Sequence, residues 1–372
     1  MIQKKRKPDW TPLSAGEGFA TSVLEGVEHG LNGTDSMTKP KSTTDVVRTK
    51  HLSLNQLVEG VLAGDRMILA RAITLIESNA RHHLEKAQQV LEQILPYSGR
   101  AIRVGITGVP GAGKSTFIDA FGCMLCQKGL QVAVLAVDPS SSLSRGSIMG
   151  DKTRMEKLAQ EPNCFIRPSP SGGTLGGVNR KTRETMLACE AAGFEVILIE
   201  TVGVGQSEAI VSSMVDFFLL LSLTGAGDEL QSFKKGVIEM ADTILINKAD
   251  GDNKLVAQRT MQEFNHALHY LKDNKEGWQT KAYCCSALTG EGIEQVWNVI
   301  LQFEKKMKES GHFNARRQEQ FLSWFHAMIL EQVKSRFFDH PDIMALLPEL
   351  EDRIRVGDIP VTRAVEQLFE AM

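Results

Sequence analysis

The spacing of apolar positions along the chain changes twice. Between Ser53 and Tyr97, apolar residues recur three and four apart in "SLNQLVEGVLAGD", "DRMILARAITLIESN" and "HHLEKAQQVLEQILPYSG". That is the period of amphipathic helices, with Ser53 standing where an N-cap is needed and Pro96 and Gly99 closing the unit. From Ile102 short apolar runs alternate with helical stretches: "IRVGITG", "QVAVLAVD", "CFIRPS", "FEVILIET", "DFFLLLSL", "DTILINK" and "KAYCCSA". Nearly continuous apolar runs fit strands covered on both faces, and their alternation with helices predicts an α/β domain on a mostly parallel, doubly wound sheet. After about Lys308 the strand runs stop. "NARRQEQFLSWFHAMILEQVKSRFF" predicts a long amphipathic helix, and the remaining residues predict shorter helices broken by prolines and Gly357. The apolar stripe of the long helix needs a partner surface, from the same chain or from a second copy. Residues 1–50 show weak periodicity and predict a largely disordered segment with one short helix around Ala20 to His29. The resulting division is 1–50, a helical extension over 51–99, the α/β domain over 100–310 and a helical arm over 311–372.

Composition narrows the class. At 372 residues, with 42% hydrophobic and 23% charged positions, the chain reads as an ordinary soluble protein. A net charge of −3 gives no electrostatic footprint for nucleic acid. No run approaches the roughly 18 apolar residues that a membrane span needs. "MIQKKRKPDW" lacks the apolar core of a secretory signal, and Glu17 and Glu25 argue against a transit peptide, so the expected compartment is the cytoplasm. The pair Cys123 and Cys126 has C-x-x-C spacing but lies within an apolar helical pattern, so it reads as core thiols rather than as a redox pair or half a zinc site. His82 and His83 read as part of a solvated helix face.

The chemistry sits at the ends of the strand runs, where open α/β sheets bind ligands. "GVPGAGKST" follows the first run and opens a helix, matching G-x-x-x-x-G-K-[ST] in the right context. Gly108, Gly111, Ala112 and Gly113 let backbone N–H groups turn inward around phosphate oxygens. Lys114 would reach the outer phosphates, and Ser115, beside Thr116, offers a hydroxyl to magnesium. "INKAD" ends the sixth run. Asp250 there carries two acceptors, which match the ring N1–H and amino donors of guanine and oppose the bare N1 of adenine. Asn247 can brace the loop and the Lys248 stem can lie along the base. "CSAL" ends the seventh run, where Ser286, Ala287 and Leu288 would bring a backbone N–H to guanine O6. For magnesium and hydrolysis, the candidates are Asp138, Asp151 and Glu200, although Asp151 also fits a helix N-terminal acid. Glu200-Thr-Val-Gly203 is followed by Val204, and the next glutamine is Gln206, so a water-orienting glutamine is missing from its usual place. Slow intrinsic hydrolysis is expected. The segment "TGAGDELQSFKKG", 224–236, leaves a strand on the nucleotide face and reads as a mobile loop, or else as an ordered one feeding a helix from Phe233 to Met240.

Together "GxPGAGKST", "AVDPSS", "GSIMGDKTRM", "PSGGTLGG", "ETVGVGQSE", "GAGDELQSFKKG", "INKADGDN" and "CSAL" resemble the metallochaperone GTPases associated with methylmalonyl-CoA mutase. That family takes in the human protein of methylmalonic aciduria type A and members described as arginine/ornithine-transport ATPases. The resemblance covers about residues 52 to 340. It implies a P-loop G domain with helical extensions, and a homodimer built by the C-terminal arm. It also implies a partner, an adenosylcobalamin-dependent acyl-CoA mutase whose cofactor loading is gated by GTP hydrolysis. By the same resemblance Lys114, Asp151, Glu200, Gln231 and Lys234 serve hydrolysis, and Ser115, Asp138, Asp151 and Glu200 hold Mg2+. Asn247, Lys248, Asp250, Ser286 and Ala287 read guanine. No D-x-H-x-x-G cobalamin motif occurs, so the chain would meet cobalamin through its partner. Two other readings stay open: a nucleotide-dependent kinase of arginine/ornithine (LAO/AO) transport, and a metal-inserting GTPase, which would need Cys/His metal sites.

Overall fold

Each of the seven apolar runs contains a strand: β1 Ile102–Gly108, β2 Val132–Val137, β3 Cys164–Arg167, β4 Val196–Thr201, β5 Phe217–Ser222, β6 Thr243–Ile246 and β7 Lys281–Cys284. The structure, a computed structural model, describes residues 52–137, 155–168, 175–201, 207–224, 235–270 and 277–371. Segment 1–50, with its expected helix at Ala20 to His29, lies outside them. The strands form one sheet in the order β3-β2-β4-β1-β5-β6-β7, and every neighbouring pair is parallel. The sheet expected to be mostly parallel is therefore parallel throughout. β1, β2, β4, β5 and β6 are buried at every position, which is why their sequences do not alternate.

The helices before and between the strands are α1 Leu54–Leu62, α2 Arg66–Glu77, α3 Arg81–Ile94, α4 Lys114–Gln127, α5 Leu175–Ala191, α6 Ser207–Ser212, α7 Lys235–Met240 and α8 Lys254–Tyr270. They are followed by α9 Ile293–Glu309, α10 His312–Phe338, α11 Pro341–Arg355 and α12 Val361–Glu370. Ser53 caps α1 in a reciprocal capping box, its Oγ accepting from Gln56 N–H (3.2 Å) while Gln56 Oε1 accepts from Ser53 N–H (2.9 Å). One sheet face packs Phe117, Phe121, Ile300 and Phe303 of α4 and α9 against Val104, Leu198 and Phe217. The other packs Leu69, Ile73, Val90 and Ala188 of α2, α3 and α5 against Leu135, Ile197 and Phe218. Burying such large apolar side chains is worth about 1.5–3 kcal/mol each.

Charge is buried at the amino-terminal ends of the strands. Arg103 of β1 makes a two-pronged pair with Glu190 of α5 (2.8 and 3.0 Å). Arg317 of α10 holds Asp216, the residue before β5, through Nε–Oδ1 (2.7 Å) and Nη2–Oδ2 (2.6 Å). Its Nη1 and Nη2 also donate to the carbonyls of Gly99 and Ala101, both at 2.6 Å. Asp216 Oδ2 accepts the Arg103 N–H as well (2.8 Å). These contacts seat the first turns of α10 on the sheet.

Both outer strands meet a side chain along their free edge. On β3 the Arg66 guanidinium donates to the carbonyls of Pro162 and Cys164. On β7 Asn265 of α8 accepts from Ala282 N–H (2.8 Å) and donates to Ala282 O (3.1 Å).

Beyond its buried root, α10 exposes Leu322, Phe325, Ile329 and Val333, spaced three and four apart, as its sequence pattern predicts. Pro348 was expected to break a helix and does not, because it lies inside α11 with its ring exposed while Ile343 and Leu350 anchor the turns on either side. Cys126 is in the core, whereas Cys123 is only half-buried. His83 is also half-buried, with Nδ1 2.7 Å from Ser78 Oγ, so only His82 is fully on the solvated face. Among the described residues no helix is long and apolar enough to cross a membrane, and no group of three or more His, Cys, Asp or Glu is arranged to hold a metal ion.

Candidate nucleotide site

β1 delivers the chain into the glycine loop at a place with no room for a side chain. A Cβ on Gly108 would lie 2.3 Å from the Leu221 carbonyl oxygen of β5. Gly111 and Gly113 then take φ values of 81° and 83°, the left-handed region that glycine adopts without strain. α4 starts directly after, so its free N–H groups and positive end face the loop. The Lys114 ammonium folds back over this loop and donates to Gly108 O (2.8 Å) and Val109 O (3.3 Å). Burial lowers the Lys114 pKa, while the carboxylates of Glu200 and Glu208 pull in the opposite direction.

Ser115 is the second helical residue, and its Oγ donates to Glu200 Oε1 at 3.0 Å. Glu200 stands near the end of β4 between Ile106 of β1 and Ala136 of β2. It is only 5% exposed, so its carboxyl group is held against the loop rather than in solvent. A hydroxyl and a carboxylate that converge here are hard oxygen donors, of the kind Mg2+ takes. Thr116 points outward and is exposed. Deeper in, Thr201 Oγ1 donates to Thr107 Oγ1 (2.8 Å), tying β4 to β1 beneath the loop.

The β6 and β7 ends close on the same loop through Asn247. Its Nδ2 donates to Ala112 O (2.8 Å), and its Oδ1 accepts from Ala287 N–H (3.1 Å) and faces Cys285 Sγ (3.6 Å). Asn247 is 1% exposed, and a Cβ on Gly113 would lie 2.8 Å from its Nδ2. Loop and amide are thus fitted to each other. Lys248 takes φ 60°, unusual for a side-chain-bearing residue, and Asn253 Nδ2 steadies it by donating to Lys248 O (2.7 Å). Ser286 Oγ donates to Asp250 Oδ2 and accepts from Thr289 N–H (3.1 Å). Of the backbone N–H groups in "CSAL", from which a contact to guanine O6 was expected, that of Ala287 is directed at Asn247 Oδ1. Leu288 is 82% exposed at the rim.

The structure therefore gathers Gly108, Gly111, Ala112, Gly113, Lys114, Ser115 and Glu200 with Asn247, Lys248, Asp250, Ser286 and Ala287. Asp138, Asp151, Gln231 and Lys234 lie outside the described residues, as do Gly203, Val204 and Gln206. Sequence reasoning passed over Glu208. It is 2% exposed in the first turn of α6 and acts on the Lys114 charge. Its only signal was an acid soon after the Glu200 motif. Cys285 entered the sequence reading only as the first residue of "CSAL"; it is 1% exposed, with its Sγ 3.6 Å from Asn247 Oδ1.

A parallel sheet whose first strand runs through a glycine loop into a Lys-Ser helix start, with that loop braced by an asparagine from β6, defines a P-loop nucleotide hydrolase. Residues 69–342 match the family described as methylmalonyl Co-A mutase-associated GTPase MeaB, and the chain belongs to that family. A Caulobacter vibrioides protein is 51% identical over 320 residues, covering 86% of this chain and 98% of the relative. The mouse mitochondrial methylmalonic aciduria type A homolog is 45% identical over 328 residues, covering 86% and 79%. A crystal structure of a protein named LAO/AO transport system kinase shares 38% identity with a TM-score of 0.68, covering 85% of this chain and 96% of that one.

Proposed function

We propose that this protein is a GTP-hydrolysing chaperone that binds an adenosylcobalamin-dependent acyl-CoA mutase and gates the loading and protection of its cofactor. The single observation that carries the nucleotide part is the Asn247 bridge, which joins the glycine loop to the loops bearing Asp250 and Ser286. The client is supported by the family's description, which associates it with methylmalonyl-CoA mutase.

In this reading phosphate oxygens replace the carbonyls of Gly108 and Val109 as partners of Lys114. Asp250 accepts the two guanine donors, and the Lys248 stem covers the base. The Ala287 N–H becomes shared between Asn247 Oδ1 and guanine O6. Ser115 and Glu200, with Asp138 and Asp151, would hold Mg2+, which when bound neutralises charge on the phosphates. Gln231 and Lys234 would supply the group that the residue after Gly203 lacks. Cobalamin is met through the mutase. The exposed stripe of α10 supports a homodimer through the 311–372 arm, appended with the 51–99 extension to a 100–310 G domain. The expected compartment is the cytoplasm.

GTP turnover measured with and without an adenosylcobalamin-dependent mutase of the same organism tests this function. Stimulation is expected. A GTPase that no such mutase binds or stimulates would remove the client while leaving the nucleotide reading standing. The second reading, a kinase of LAO/AO transport, draws on the name borne by the similar crystal structure. It requires ATP, and ATP displacing labelled GDP as well as GTP does would favour it.

A further inference from the structure

The guanine side of the candidate site is built from two turns that follow different strands. After β6 the chain passes Asp250 and makes one tight turn, Gly251–Asn253, before Lys254 opens α8. Asn253 N–H donates to Asp250 O (3.1 Å), so the start of α8 is tied directly to Asp250. After β7 the chain folds back on itself between Ser286 and Gly292. Gly290 N–H donates to Ser286 O and Ser286 N–H donates to Glu291 O, both at 2.9 Å. Gly292 takes φ 80°, and a Cβ there would lie 2.6 Å from the Cys284 carbonyl oxygen, so this turn closes against its own strand. Side chains then join the two turns at two places. Ser286 Oγ donates to Asp250 Oδ2, and the Lys254 ammonium pairs with the Glu291 carboxylate. The contacts form a closed ring: Asp250 to Ser286, Ser286 to Glu291, Glu291 to Lys254, and Lys254 through one turn back to Asp250. Ser286 is 0% exposed, whereas the Lys254 and Glu291 side chains are 48% and 59% exposed. An ion pair that open to water adds little to folding stability, but it fixes the spacing of the two turns that carry it. With Oδ2 engaged by Ser286, the direction of the Asp250 carboxylate follows Ser286, and Ser286 follows the Glu291 carbonyl.

We infer that Lys254 and Glu291 are positioning residues for the guanine contact of Asp250, their ion pair holding the two turns at the spacing that aims the carboxylate at the base. This rests on the reading of these loops as a GTP site. Both act through other residues, Glu291 through Ser286 and Lys254 through the Gly251–Asn253 turn. The chemical signature is selective. Hypoxanthine keeps the ring N1–H and the O6 of guanine and lacks only the 2-amino group. A carboxylate aimed at both donors tells the two bases apart by that amino group, and a carboxylate out of line tells them apart less. Loss of the pair therefore narrows the preference for guanine, instead of weakening all purine nucleotides alike.

The test uses the full chain with labelled GDP, its affinity measured by equilibrium dialysis and that of inosine diphosphate by competition. Lys254→Glu is expected to lower the ratio of GDP to inosine diphosphate affinity about 2- to 5-fold, and Glu291→Lys to do the same. The exchanged variant Lys254→Glu/Glu291→Lys restores opposite charges across the turns and is expected to recover most of the parent ratio. If a reversal variant fails to fold, Lys254→Gln and Glu291→Gln carry the same comparison. A parent-like ratio in the folded single variants, or an equal loss of affinity for both diphosphates, overturns the positioning role and leaves the GTP reading standing. An exchanged variant no closer to the parent than the single variants does the same. Absence of GDP binding to the parent protein overturns the GTP reading and the positioning role with it.

Discussion

Replacing Arg317 by methionine removes a cation that makes two contacts to Asp216 and donates to two backbone carbonyls. The Asp216 carboxylate, 2% exposed, would keep only the Arg103 N–H at 2.8 Å. A buried charge left without its partner costs about 3–5 kcal/mol. Total stabilities run at about 5–15 kcal/mol, so this one change removes a large share. Asp216→Leu alone should cost a similar amount, because it strands Arg317 instead. The double variant Arg317→Met/Asp216→Leu removes both charges together and should be markedly more stable than the sum of the single losses predicts. The assay is urea unfolding followed by circular dichroism on all four proteins of the cycle. A loss below about 1 kcal/mol for Arg317→Met, or strictly additive losses, would refute the claim that this pair is a buried and mutually dependent unit.

Other outcomes are equally checkable. Lys114→Ala should weaken GDP binding and abolish GTP turnover, and turnover that persists would put the site elsewhere. Asp250→Asn replaces one of two acceptors by a donor, so nucleotide preference should move from guanine to xanthine, whose C2 carries an acceptor; competition with xanthosine diphosphate reads this directly. The Cys285 thiol, normally near 9.0, is pushed up to about 12 by burial. The fold therefore keeps a proton that the unfolded chain gives up above pH 9.0, and stability present below that pH is lost as pH rises from there. Urea unfolding at pH 7.5 and 10.5 should show a smaller alkaline loss in Cys285→Ala than in the parent, and equal losses would contradict the burial argument.

Much of the candidate site was legible because its residues are local. "GVPGAGKST" carries its loop, lysine and helix start within nine positions, and all seven apolar runs held their strands. Glu200 could be placed because a carboxylate at the end of a buried strand needs a reason to be there. Arg103, Glu190, Asp216 and Arg317 were not legible as a cluster. Arg317 and Asp216 stand 101 positions apart, and nothing in a helix-period pattern says that one arginine of "NARRQ" turns inward. Pro348 misled for the opposite reason: propensity argued for a break, and packing of the flanking Ile343 and Leu350 prevailed. Ala287 was matched to guanine by position, while its N–H direction depends on the Asn247 amide across the loop.

Arg66 and Asn265 have a consequence for how the protein can be approached. An open strand edge is a template on which any extended segment can pair. Here the carbonyls of Pro162 and Cys164 on one edge, and both backbone groups of Ala282 on the other, are already occupied by side chains of the same chain. Any segment that adds itself there as an extra strand would have to displace a guanidinium or an amide first. At these positions strand addition is thereby opposed, whether the added strand comes from another protein or from a second copy of the sheet.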